Sequence, residues 1–375
     1  MNLFPLSLIG FGIFLFFVVI FSYFFLDPEI SYLAFIDPPH IQNRLFLTSI
    51  YIFCICGCIF FSLFFMRRLY KKQSQKGLFQ KILLFLLILL FSYPAMLSYD
   101  IYNYIATSKV TFLYLENPYI VMPIEFSTDP LITFMHAANK TALYGPVWIL
   151  LTAVPFFLGF NNFVATLLLF KTIIILFYFA TVVLLLKMTK DSTKVALFAL
   201  HPLVIIETFI GSHNDIVMMF LALLSFFMLK EKRVLLAIFF LLASFLIKYA
   251  TFALIPIFVY AVYRIVVKKP IDWGKVYKYG FISMFFIFLL SFFREEIYPW
   301  YAIWFLVFLP FLNLRKYILT SIYILTISLL FRYVPYLVTG SHFGITPYAK
   351  WIITFVPVLF YLVFQKSKNV WLRQS

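Results

Sequence analysis

The residue most suited to acid–base chemistry is Asp100, in the segment Ser98-Tyr-Asp-Ile-Tyr102 that follows an apolar stretch. A carboxylate in this position could act as a general base that takes a proton from a hydroxyl group. The alternative is that Asp100 is a solvated loop acid or a helix cap. Its function therefore depends on which other polar residues the fold brings to it.

A second polar group is Gly211-Ser-His-Asn-Asp215. His213, Asn214 and Asp215 could bind a phosphate and a sugar, or His213 and Asp215 could hold a metal ion. One histidine with one aspartate is a poor set of metal ligands. A divalent metal is therefore a possible cofactor only if the fold adds Asp100 to Asp215. The alternative is a polar turn in which Asn214 and Asp215 cap the next helix.

Two cations, Lys248 and Arg294, lie at the ends of apolar segments. A phosphate in a site of low dielectric constant needs a fixed cation, so both are candidates for binding one. The alternatives are that Lys248 extends its charged end to the membrane surface and that Arg294 pairs with the adjacent Glu295 and Glu296.

Several tyrosines and tryptophans lie next to prolines. Proline biases the preceding residue away from helix, so these segments are turns, and their rings could stack on a sugar or lie at a membrane interface. The predicted substrate-lining residues are Tyr102, Asn117, Tyr119, Tyr144, Trp300 and Tyr301. Two polar residues inside an apolar segment, His201 and Glu207, are candidates for a supporting position behind the site.

The composition places these residues in a membrane protein. The chain is 64% hydrophobic and only 12% charged, whereas a soluble domain carries about 25% charge. The net charge of +16 would suggest nucleic acid in a soluble protein. Here most lysines and arginines fall in alternate loops, which the positive-inside rule explains, so no nucleic-acid partner is predicted. The three cysteines lie in one apolar helix and do not indicate a disulfide framework.

A membrane-spanning helix needs about 20 apolar residues, and on this measure the sequence predicts an all-α, polytopic protein with about twelve transmembrane helices. We predict a single integral membrane domain over residues 1–375. It consists of three N-terminal helices (1–97), an external catalytic loop with short juxtamembrane helices (98–162) and the remaining helices (163–375). The predicted spans are Phe4–Leu26, Leu45–Met66, Ile82–Leu97, Phe163–Leu186, Val195–Ile210, Ile216–Leu229, Val234–Ile247, Ala250–Val267, Gly280–Phe293, Ala302–Leu314, Tyr317–Leu330 and Trp351–Phe364.

The apolar segment Tyr144–Phe160 is predicted to be a re-entrant or interface helix rather than a span. If it crossed the membrane, every later basic loop would lie outside, against the positive-inside rule. With Pro146 and Pro155 near its ends, it is also short for a span. The resulting topology is a multi-pass protein of the cell membrane with both termini in the cytoplasm. It places the polar residues at the outer ends of their helices, so the predicted active site is extracytoplasmic.

Taken in order, these motifs resemble those of the integral-membrane GT-C glycosyltransferases, and most closely the polyprenol-phosphate-mannose-dependent mannosyltransferases. The resemblance runs from about Leu97 to Tyr301, and its most specific parts are Asp100 and His213-Asn-Asp215. It implies a GT-C-like fold and an inverting transfer of mannose from a polyprenyl phosphate to a glycan or glycolipid acceptor. It also implies that Asp100 matches the family's catalytic acid. In the family the first large external loop follows the first helix, whereas here it follows the third.

Two other classes of function are compatible with the sequence: a secondary transporter or lipid flippase, and a non-catalytic assembly subunit. Transporters commonly show internal repeats and place their binding residues at the middle of the membrane. Here the polar residues are concentrated in one external loop and at outer helix ends. This distribution favours an enzyme.

Overall fold

The computed structural model describes residues 4–25, 43–71, 76–131, 135, 137–294 and 296–374; for some of these, including Arg294 and residues 366–374, it describes the backbone alone. Within these ranges the chain forms α-helices, short 3-10 helices and a π-helix, and no strand. In chain order the α-helices are α1 (Phe4–Ser22), α2 (Arg44–Lys71), α3 (Lys76–Phe85), α4 (Asp100–Phe112), α5 (Pro146–Leu158), α6 (Phe163–Thr189), α7 (Ser192–Ala199), α8 (Pro202–Ile205), α9 (Asp215–Lys230), α10 (Val234–Phe245), α11 (Ile255–Val266), α12 (Trp273–Arg294), α13 (Ile303–Leu306), α14 (Lys316–Phe331), α15 (Tyr333–Thr339) and α16 (Thr346–Gln374).

The all-helical, polytopic class is confirmed. Among the described residues seven helices are long and apolar enough to cross a membrane, or eight if the bent pair α7 and α8 forms one span. Further apolar helices, such as Val234–Phe245, are shorter than 18 residues. Large apolar side chains on the long helices, including Phe16, Phe60 and Leu176, are exposed, as lipid-facing residues must be. The figure of about twelve spans therefore stays a prediction.

The predicted fifth span is broken rather than straight. The axis turns by 61° between α7 and the segment Pro202–Ile210. Pro202 lies at the break, where the lack of a backbone N–H and the bulk of its ring interrupt the helix. The His201 side chain accepts a hydrogen bond from the Leu203 backbone. After α8 the chain widens into a π-helix, Ile206–Ile210, a form often found at functional sites.

The short helix α5 begins and ends at the same end of the helix bundle. At its start, Gly145 N–H donates to the Ile247 carbonyl (3.0 Å) at the end of α10. Beyond its end, Phe163 stacks on Tyr102 (6.0 Å between ring centroids), two residues after Asp100. At 13 residues and about 1.5 Å per residue, α5 is also too short to cross. Its position at the membrane interface stays a prediction.

Helix ends that were predicted to lie on one side of the membrane also meet in the structure. Tyr23 Oη donates to the Phe91 carbonyl (2.8 Å) where the first and third predicted spans end. At the opposite ends of the bundle, Lys194 Nζ donates to Asn313 Oδ1 (3.3 Å). These contacts fix which helix ends are neighbours.

Candidate active site

Asp100 is the first residue of α4, and its side chain is 22% exposed. Its backbone N–H donates to Ser98 Oγ (3.3 Å), which supports the turn into the helix. An acid in the first turn also interacts favourably with the positive end of the helix dipole. The carboxylate is therefore held at a helix N-terminus with part of its surface open.

His213 lies between Asp100 and a second acid. Its Nδ1 is 3.3 Å from Asp100 Oδ2, and its Nε2 is 3.3 Å from Glu207 Oε2. The imidazole is fully buried and stacks on the Trp300 ring, with 3.8 Å between centroids. Neither ring nitrogen makes an aligned hydrogen bond to a described residue, so the two contacts act mainly through charge. Glu207 in turn accepts a hydrogen bond from Tyr333 Oη at 3.2 Å.

The contact between Asp100 and His213 favours the charged form of each, the carboxylate of Asp100 and the imidazolium of His213. Burial would raise the pKa of Asp100, but the contact with His213 and the positive charges of His213 and Lys248 hold it below its ordinary value. Burial would lower the pKa of His213, but the two carboxylates at its nitrogens raise it above its ordinary value. Asp100 is consequently ionised at neutral pH, beside a histidine that favours the protonated form.

A second ion pair joins α9 to the end of α10. Lys248 Nζ donates to Asp215 Oδ2 (2.7 Å), and Trp304 Nε1–H donates to Asp215 Oδ1 (2.6 Å). Asp215 is fully buried, whereas the Lys248 side chain is 15% exposed. The ammonium group also lies 5.5 Å from the centroid of the Tyr301 ring. The buried carboxylate thus holds a cation at the edge of the site.

Tyr104 connects the helix that carries Asp100 to the polar segment that carries His213 and Asp215, although the sequence analysis did not identify it. It lies four residues after Asp100 on α4, and therefore on the same face. Its hydroxyl accepts a hydrogen bond from the Asn214 backbone (3.2 Å), and its ring meets that of Tyr144 edge-on at 4.8 Å. The i,i+4 spacing from Asp100 was the one signal that could have indicated it.

Several buried polar atoms in this region have no hydrogen-bond partner among the described residues. Such atoms are uncommon in proteins and call for water or a ligand. They are Asn103 Oδ1, Tyr144 Oη, Asn214 Oδ1 and Nδ2, and Trp300 Nε1.

The loop before α5 docks against the end of α10 through main-chain contacts. Besides the bond from Gly145, Val147 N–H donates to the Leu246 carbonyl (3.0 Å). A Cβ atom on Gly145 would lie 2.2 Å from the Leu246 carbonyl oxygen. Only glycine allows the backbone to approach this closely. The contact places Tyr144 next to the segment that carries Lys248.

The other predicted site residues lie in different environments. Tyr102 is fully buried, and its hydroxyl donates to Tyr93 Oη (2.8 Å), so its ring packs inside the protein. Asn117 Oδ1 accepts from the Tyr119 backbone (3.0 Å) in an exposed turn, and Tyr119 Oη donates to the Tyr144 carbonyl (3.0 Å). The side chain of Arg294 lies outside the described residues.

The possible divalent metal stays a prediction. The described residues contain no group of three or more side chains placed to ligate one. Both oxygens of Asp215 are engaged, one with Lys248 and one with Trp304. To ligate a metal, Asp215 would have to give up one of these contacts.

A separate ion pair lies on the opposite face of α4. Lys109 Nζ is 2.6 Å from Asp129 Oδ2, which also accepts from Tyr114 Oη (2.9 Å). Burial would raise the pKa of Asp129, but Lys109 and the Leu131 backbone hold it below its ordinary value. A cavity of about 290 Å³ adjoins this pair. Since Lys109 is nine residues after Asp100, the helical periodicity turns this cavity away from the Asp100 carboxylate.

The fold and the site together define a polytopic membrane protein with a partly exposed carboxylate backed by buried charged groups. Residues 29–264 match the family model described as alpha-(1->6)-mannopyranosyltransferase, N-terminal domain. The match covers more than half of the chain, which therefore belongs to this mannosyltransferase family. It includes Asp100, His213, Asp215 and Lys248 and ends before Trp300. Searches of the curated proteins and of the solved structures gave no match.

Proposed function

We propose that this glycosyltransferase transfers mannose from a polyprenyl phosphate to a glycan or glycolipid acceptor on the extracytoplasmic side of the cell membrane. Family membership gives the mannosyl transfer. The lipid-linked donor is inferred from the resemblance to the polyprenol-phosphate-mannose-dependent mannosyltransferases. The side of the membrane is inferred from the charge distribution of the loops.

In the proposed mechanism Asp100 accepts the proton of the acceptor hydroxyl. The oxygen attacks the anomeric carbon in line, while the bond from that carbon to the phosphate oxygen breaks. The polyprenyl phosphate leaves with the bonding electron pair, and a β-linked donor gives an α-linked product. His213 acts as a positioning residue, because its ring is fixed between Asp100 and Glu207 and against Trp300.

The leaving phosphate needs charge stabilisation more than a proton donor. Lys248 is suited to this, because it is the partly exposed member of an ion pair whose acid is buried and held by Trp304. A fixed cation next to developing negative charge is a strong contributor to catalysis in sites that exclude water. Arg294, the second cation predicted for this role, stays a candidate from the sequence alone.

One observation carries the proposal. Asp100 is partly exposed, whereas His213, which contacts it, is fully buried, as are Glu207, which contacts His213, and Asp215, which pairs with Lys248. Burying charged groups is costly unless they are paired. A buried charged network that ends in one accessible carboxylate is the arrangement expected of a general base.

The direct test uses the purified full-length protein with polyprenyl-phosphate mannose and candidate mannoside acceptors, with products identified by mass spectrometry. We expect Asp100→Asn to lower turnover by about 10²–10⁴-fold, the range of general-base catalysis, while donor binding is retained. The matched control is Asp272→Asn, because Asp272 is exposed and pairs only with Lys275 among the described residues. Full turnover by Asp100→Asn would contradict the proposal, and loss of proton-coupled uptake with intact mannosyl transfer would indicate a transporter.

A further inference from the structure

A second cluster of charged residues lies in the C-terminal part of the chain. Arg332 Nη2 donates to Glu296 Oε1 (2.7 Å), and Lys350 Nζ donates to the same oxygen (2.9 Å). The side chains of Arg332 and Lys350 are 5% and 13% exposed, whereas that of Glu296 is 36% exposed. Two largely buried cations thus share one carboxylate oxygen.

The charges of this cluster do not balance among the described side chains. Two cations face one acid, whereas Lys248 and Asp215 pair one to one. An uncompensated cation in a partly desolvated site is costly and favours the binding of an anion. The guanidinium group is also held in place, because Arg332 Nη1 donates to Thr354 Oγ1 (2.9 Å) and to the Lys350 carbonyl (3.2 Å).

The cluster is connected to the candidate active site by a hydrogen bond and by a stack of aromatic rings. Tyr333, the next residue after Arg332, donates its hydroxyl to Glu207, which contacts His213. The rings of Tyr298, Trp300 and His213 form a stacked column, with 4.6 Å and 3.8 Å between successive centroids. The outer ring of this column, Tyr298, belongs to the residue two positions after Glu296. The aromatic column therefore runs from the cluster toward Asp100.

We propose that Arg332 and Lys350 form a binding site for a phosphate ester of a lipid-linked substrate, additional to Lys248, with Glu296 as the internal counter-ion that the phosphate displaces. A planar guanidinium and an ammonium group presented together are well suited to phosphate oxygens. All three residues lie beyond the family match, which ends at residue 264. The inference rests on the proposed function in one respect, namely that the substrate is lipid-linked and carries a phosphate.

Charge-changing variants separate this proposal from a purely structural ion pair. We expect Arg332→Gln and Lys350→Gln to weaken the binding of polyprenyl phosphate by roughly tenfold to a hundredfold, as for loss of a hydrogen bond to a charged group. Glu296→Gln should have the opposite effect and tighten binding, because it frees both cations. Lys140→Gln is the matched control, since it makes the same charge change at an exposed position of the external loop.

The measurement is direct binding of radiolabelled polyprenyl phosphate to the purified protein in detergent, with the thermal stability of each variant recorded in parallel. If Glu296→Gln weakens binding and lowers stability as the other two variants do, the cluster is a structural contact and the proposal is wrong. If the variants bind like Lys140→Gln, no anion binds there. Lys350→Gln, which removes the less buried of the two cations, keeps the test valid if Arg332→Gln does not fold.

Two further arms identify the source of the phosphate and separate this proposal from the proposed function. Inorganic phosphate would compete for the site whether the donor or the acceptor carries the phosphate. The two substrates are therefore distinguished by measuring KM for each in Lys350→Gln. A rise in the donor KM alone assigns the site to the donor phosphate, and a rise in the acceptor KM alone assigns it to a phosphate on the acceptor. Tighter binding by Glu296→Gln would support the phosphate site even if Asp100→Asn kept full turnover.

Discussion

At the scale of single residues, the Asp100 carboxylate is partly exposed and lies in an environment that favours its ionised form. His213 contacts it directly, Lys248 adds positive charge, and the Asn103 side chain also favours the carboxylate. A base with a lowered pKa is available over a wide pH range, although it is intrinsically weaker. Tyr104 and Tyr144 surround this group with buried aromatic rings.

The first prediction at this scale concerns the pH profile of kcat/KM. If Asp100 is the general base, as proposed, activity requires its ionised form and is lost as the pH falls through the pKa of that group. Because His213 holds this pKa down, His213→Gln should raise it and move the acidic limb to higher pH. The same substitution at His342, which stacks on Tyr336, should leave the limb in place. An unchanged limb in His213→Gln would show that His213 does not set the protonation of Asp100.

A second prediction concerns the Asp215–Lys248 pair. Removing one partner leaves the other charge unpaired in a partly buried site, so Asp215→Asn and Lys248→Met should each lower kcat/KM by about tenfold or more. The double variant should lose much less than the product of the two effects, because the residues act as a unit. A double-mutant cycle on kcat/KM measures this coupling, and strict additivity would contradict it.

At the scale of elements, two irregular segments present the site. The break at Pro202 and the π-helix that follows bring Glu207 to His213 and end the predicted fifth span at the polar segment. The loop before α5 docks on the end of α10 through Gly145 and Val147. Regular helices in either place would carry these side chains to other positions.

We therefore predict that Gly145→Ala disrupts the docking of the loop before α5. The added Cβ would lie 2.2 Å from the Leu246 carbonyl oxygen, so the backbone must move. We expect a lower melting temperature in detergent and faster proteolysis of the loop. Gly77→Ala is the control, because a Cβ there meets no atom within 4 Å and alanine favours helix. Equal behaviour of the two variants would show that the close approach is dispensable.

At the scale of the whole molecule, the helices bring polar residues from distant parts of the chain to one end of the bundle. Asp100 and His213 are separated by more than a hundred residues, as are Glu207 and Tyr333. The helices themselves expose apolar side chains over much of their surface. Lipid is the solvent in which such a surface is stable.

The predicted orientation can be tested by labelling cysteines in intact cells. In a variant lacking Cys54, Cys56 and Cys58, a membrane-impermeant maleimide should label Thr128→Cys from outside. It should label Lys269→Cys only after the membrane is permeabilised, because the positive-inside rule places that basic loop in the cytoplasm. The reverse pattern would place the candidate site on the cytoplasmic side and exclude an extracytoplasmic reaction.

Local patterns in the sequence are sufficient to predict the class of protein, the positions of most helices and the helix ends at which polar residues lie. Runs of apolar residues define spans through their length, and Pro146 and Pro202 mark points where helices start or break. The sequence also indicated Asp100, His213, Asp215 and Lys248 as candidates, because each lies at the boundary of an apolar segment.

The pairing of these residues is visible only in the folded protein. There His213 lies between Asp100 and Glu207, and Lys248 pairs with Asp215. Tyr102 packs in the interior of the protein. Arg332 and Lys350 both pair with Glu296. The physical reason is that helix periodicity and loop charge are local properties of the chain. Contacts between helices depend on packing and rotation about each helix axis, which the order of residues does not state.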